Sequence, residues 1–123
     1  MALHYTIDNE RRVVRTTGSG ILELRELREL MSLLPTDPEF NANFGSLVDL
    51  RAVSAIAMDS AALAQVAMTS VFTPGTRHAF VATADAVYGM ARAYASFGES
   101  KGQVTGVFRE MHSAETWLEQ ARL

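Results

Sequence analysis

Leu47-Val-Asp-Leu-Arg-Ala-Val-Ser-Ala-Ile-Ala-Met-Asp-Ser-Ala-Ala-Leu63 is the stretch on which the reading of this chain turns. With Ser46 just before it, its first part to Leu50 is a short apolar run of the kind that forms a strand covered on both faces. Asp59 and Ser60 are residue types whose side-chain oxygens accept from a free N–H of a first helical turn. Either one therefore starts a helix, read over Ala61 to Phe72 and ended by Pro74-Gly75. A strand that hands over to a helix is the first half of a β-α-β unit, which joins parallel strands.

Outward from this junction the same alternation continues. Upstream, Leu3 to Ile7 and Val13 to Thr17 read as two strands, with a turn-forming Asp8-Asn9-Glu10-Arg11 between them. Gly18-Ser19-Gly20 breaks that pattern and reads as a turn into a helix over Ile21 to Leu34. Leu24, Leu27, Met31 and Leu34 form its apolar stripe, and Pro35 and Pro38 stop it. Downstream, His78 to Ala82 reads as a strand, Asp85 to Phe97 as a helix, and Gln103 to Phe108 as the last strand. Ser113 then caps a helix whose Ala114, Trp117, Leu118 and Ala121 share a face. The order β-β-α-β-α-β-α-β-α predicts a mixed α/β sheet of about five strands, with an N-terminal hairpin and four helices, in one domain over residues 1–123.

Composition narrows the function. The chain has 123 residues, 48% of them hydrophobic, enough to build a core without staples. A net charge of -3 with scattered basic residues gives no pull toward nucleic acid or an anionic membrane. The absence of cysteine excludes disulfides, thiol catalysis and Cys-ligated metals, and fits a cytoplasmic location. The first residues do not read as a signal peptide, and no apolar run approaches the ~20 residues of a transmembrane helix.

The junction resembles the signature of STAS domains, the SpoIIAA-like fold of bacterial anti-sigma factor antagonists. That signature is an apolar strand ending in Asp-Leu, then a loop, then Met-Asp-Ser-Ser-Gly-Leu opening a helix. Asp49-Leu50 matches the strand end, and Met58-Asp59-Ser60 with Leu63 matches the helix start. Arg77 to Arg92 and Val107 to Leu118 look like the back half of stand-alone bacterial proteins of this kind. The resemblance implies a non-catalytic regulatory or protein-binding domain. Met58, Asp59, Ser60, Ala61 and Leu63 would contact a kinase-like or anti-sigma-like partner, or a second copy in a homodimer. Regulatory antagonists are phosphorylated on the second serine, which here is Ala61, and the following glycine is Ala62. The phospho-switch is thus not carried over intact, and Ser60 is the remaining candidate for phosphorylation. A phosphate there would sit on the positive end of the helix and add up to about two negative charges.

The helix that follows gives the alternative. No charged residue occurs between Asp59 and Arg77. A helix with so little polar face either walls an interface or pocket or is buried all round. Met68, Phe72, Met90 and Tyr94 are candidates to line a pocket for a small apolar ligand or lipid, as in the CRAL-TRIO-type carriers that share this kind of fold. No residue set supports an enzyme, a cofactor or a metal. His4, His78 and His112 form no paired motif and read as solvated or hydrogen-bonded histidines. No Gly-x-Ser-x-Gly is present. Asp49 reads as a strand-end residue that Arg51 can pair with. Gly18-x-Gly20 lacks the rest of any phosphate fingerprint, and Arg25 to Leu30 is too short for a coiled coil.

Overall fold

The structure is a computed structural model that describes residues 2–120. Its strands are β1 (Leu3–Asp8), β2 (Val13–Glu23), β3 (Gly45–Ala57), β4 (Arg77–Val81) and β5 (Val104–Phe108). Its α-helices are α1 (Leu24–Leu33), α2 (Ser60–Met68), α3 (Asp85–Gly98) and α4 (Met111–Gln120). The strands form one sheet in the order β1-β2-β3-β4-β5. β1 and β2 pair antiparallel and every other neighbouring pair is parallel. The α/β class, the mixed five-stranded sheet and the four helices are as the sequence implies.

Side-chain alternation assigns the helices to the two faces. Leu47, Ala79 and Val81 pack against Ala114 and Leu118 of α4. Residues one position away in the same strands, such as Ser46, Val48 and Phe80, face the other side with α1, α2 and α3. Arg77 fastens α4 by donating to the Trp117 carbonyl at 3.0 Å while its guanidinium lies 4.8 Å over the Trp117 ring. The central strands are thus covered on both faces, which explains their unbroken apolar runs.

Four sequence expectations are corrected. Gly18-Ser19-Gly20 is strand, not turn: β2 runs on to Glu23, and α1 starts at Leu24. β3 runs to Ala57, well past Leu50. The physical reason lies in the register. Thr17 pairs with Asp49 but Ser19 with Ala52, and Gly20 pairs with Val53 but Ile21 with Ala55. Each step adds one residue to β3, a bulge that re-aims the following side chains. Leu50, Val53 and Ile56 therefore all reach the same apolar cluster at a spacing of three, not two. Gly20 takes the left-handed φ of 67° that this irregularity demands. The third correction is at α4, which begins at Met111, so Ser113 lies inside the first turn. Helix α2 also ends earlier than expected, at Met68. Ala121 lies outside the described residues.

Candidate functional site

Between the sheet and the α1–α3 layer lies a cavity of about 140 Å³. Its floor is sheet. Ser46 and His78 are cross-strand neighbours, as are His78 and Thr105, and Thr16 sits opposite Val48. The inward side of β2 to β5 thus carries a polar strip under an apolar roof. The roof includes Leu27 and Met31 from α1, Leu63 and Val66 from α2, and Met90 and Tyr94 from α3.

The strip is largely self-satisfied. Ser46 Oγ lies 2.7 Å from His78 Nδ1, and Thr76 Oγ1 lies 2.8 Å from His78 Nε2. Thr76 Oγ1 itself donates to the Thr73 carbonyl at 2.8 Å, so its proton is used there. His78 must then donate from Nε2 to Thr76 and accept at Nδ1 from Ser46, a tautomer assigned by the network. The result is a chain of hydrogen bonds from Ser46 through His78 and Thr76 to the Thr73 carbonyl. The Phe72 ring closes over His78, with centroids 4.6 Å apart at 66°. His78 is 6% exposed. Burial pushes its pKa down to about 4, with Gln103 opposing this weakly, so the imidazole is neutral at pH 7.

Tyr94 behaves differently. Its ring packs on Phe80 at 5.3 Å. Its hydroxyl makes no hydrogen bond to any described residue. The side chain borders the cavity, and no fully sealed side-chain polar atom lacks a partner among the described residues. Burial alone raises its pKa to about 12, so it remains an O–H donor throughout the physiological range.

The sequence-predicted residues divide between this cavity and the surface. Phe72, Met90 and Tyr94 come together on the cavity. Met68 does not: it is 48% exposed, and its sulfur accepts from Ser100 Oγ at 3.8 Å. At the other end of α2, Asp59, Ser60 and Ala61 are exposed and Met58 half-buried. Asp59 is the N-cap, accepting from the Ala62 N–H at 2.8 Å. Leu63, expected to contact a partner, points inward and is 4% exposed, so it is a core residue and not part of the exposed tip. Leu63, Val66 and Ala67 of α2 are turned toward the cavity, and its exposed positions are Ser60, Ala61, Gln65 and Met68.

Asp49 is mid-strand, not at a strand end, and is held by Arg51. Arg51 Nε and Nη2 each donate to it at 2.9 Å, and these bonds hold its carboxyl below the usual carboxylate range. Among the described residues no group of three His, Asp or Glu side chains converges on a metal position. No helix among them is long and apolar enough to cross a membrane. Sequence reasoning passed over Ser46 and His78 as site residues. They are 32 positions apart, and only the β3–β4 register joins them.

A strand hairpin leading into β-α repeats, with three helices on one face and one on the other, defines a SpoIIAA-like α/β fold. The chain is similar over 95% of its length, with a TM-score of 0.66 and 13% identity, to an uncharacterized protein from the DUF3478 family with a SpoIIAA-like fold from Shewanella loihica, of which 94% is covered. No family model matches the chain, and no curated protein does.

Proposed function

We propose that this protein is a non-catalytic binding domain that takes a small apolar ligand into the cavity between the sheet and α1–α3. The observation that carries this reading is the cavity itself, about 140 Å³ of space under a roof of aliphatic and Met side chains. Protein interiors are close-packed, and a void of this size forgoes contacts that its walls would otherwise make. An apolar cavity of about 150 Å³ stays dry and admits benzene or xenon. This cavity is of that size and falls short of the roughly 300 to 1,000 Å³ typical of drug-sized ligands. The size favours a compact ligand over a long-chain lipid.

A second reading is a protein partner at Met58 to Ala61. It is supported by the exposure of Asp59, Ser60 and Ala61 at the tip of α2 and by the SpoIIAA-like fold. A kinase-like or anti-sigma-like partner, phosphorylation of Ser60, a homodimer and a cytoplasmic setting belong to this reading.

Native mass spectrometry of the freshly purified protein separates the two. A small neutral adduct, lost on gentle activation, is the expected result. An Ala91→Leu variant, which fills the cavity from α3, should lose that adduct while keeping the fold. A bare chain that also ignores added toluene would overturn the ligand reading, and a clean dimer or a phosphorylated Ser60 would favour the partner reading.

A further inference from the structure

The chemistry of the ligand can be narrowed further if the cavity is a binding site, as argued above. Size comes first: about 140 Å³ is close to the volume that holds one benzene ring. Charge comes second. No Lys, Arg, Asp or Glu lines the cavity. The one titratable base in its floor, His78, is neutral and has both ring nitrogens engaged, by Ser46 and Thr76. A charged group entering here would lose its hydration and find no counter-charge. The third constraint is Tyr94, whose side chain lines the cavity and whose hydroxyl makes no hydrogen bond to any described residue. A ligand that covers this hydroxyl without accepting its proton leaves a donor buried and unpaired, which costs affinity.

We propose that the cavity selects a neutral molecule of about one ring, whose apolar body lies between Leu63 and Met90 and whose single uncharged hydrogen-bonding group accepts from the Tyr94 hydroxyl. The specificity is set by the contrast between walls and donor. The walls accept any compact apolar shape, the missing counter-charge rejects ions, and Tyr94 ranks the neutral candidates by their acceptor.

Three probes of similar shape test this by titration calorimetry: toluene, benzyl alcohol and benzoate, each against the wild type and Tyr94→Phe. Toluene and benzyl alcohol should both bind the wild type, and benzoate should bind at least about a hundredfold more weakly than benzyl alcohol. Tyr94→Phe should weaken benzyl alcohol by about fivefold, the worth of one neutral hydrogen bond, and leave toluene unchanged or slightly tighter. Circular dichroism confirms that the variant is folded, and the benzoate comparison on the wild type stands without it. Benzoate binding as well as benzyl alcohol, or equal weakening of toluene and benzyl alcohol in the variant, would overturn the proposed ligand class while leaving the cavity as a binding site. Failure of all three probes on the wild type would overturn the cavity reading itself.

Discussion

Replacing His78 with asparagine should flatten the acid limb of the stability curve. In the folded chain the imidazole is 6% exposed and held between Ser46 and Thr76, and its pKa lies near 4 against an ordinary 6.5. The unfolded chain takes up a proton on this group as pH falls through about 6.5, and the folded chain does so only near 4. Between those values the unfolded state binds more protons, so stability rises with pH and is lost as pH falls. At about 1.4 kcal/mol for each tenfold difference in proton affinity, the full window is worth about 3 kcal/mol, of which about 2 kcal/mol is gone by pH 5. The contribution is complete above pH 6.5 and absent below pH 4. Urea unfolding from pH 7.5 to 5, above most carboxylate titrations, measures it. The asparagine amide oxygen can still accept from Ser46, and the variant starts less stable because the ring is lost. The readout is the slope, steep in the wild type and shallow in the variant. NMR titration of the His78 ring gives the same answer without a variant. A midpoint near 6.5, or parallel acid curves for the two proteins, would refute the buried neutral chain beneath the cavity.

Other expectations are simpler. Asp59→Ala removes the N-cap of α2 and should lower stability by about 1 kcal/mol in urea unfolding, because the Ala62 N–H loses its acceptor. Gly45→Ala should be far more damaging than a surface substitution. Its new Cβ would lie 2.8 Å from the Arg77 carbonyl oxygen, so β3 and β4 must part and the melting temperature should drop by several degrees, roughly the effect of 1 to 3 kcal/mol.

The legibility of this chain followed its periodicity. The junction at Leu50 to Leu63 and the alternation around it were enough to imply an α/β sheet with an N-terminal hairpin, because buried parallel strands and capped helices write strong local signals. The second half of β3 was hidden for a definite reason. Its two bulges space Leu50, Val53 and Ile56 by three, a rhythm that does not read as a strand. Gly18-Ser19-Gly20 was misread on the same grounds, as glycine marks turns and bulges alike. The lining of the cavity was partly visible, since Phe72 in the uncharged stretch after Asp59 and Met90 and Tyr94 in the following helix were expected to line an apolar pocket. Met68 was misplaced because α2 ends there and its side chain turns outward. The floor was not visible, because the Ser46–His78–Thr76 chain exists only once two strands are set in register.

A crystal of this protein held under xenon gas is the most direct trial of the central claim, which is that open apolar space separates the sheet from its three-helix layer. Xenon density among Leu63, Met90 and Tyr94, with the backbone unmoved, is the outcome expected. Helices settled onto Val48 and Phe80 with no gas atom between them would contradict it.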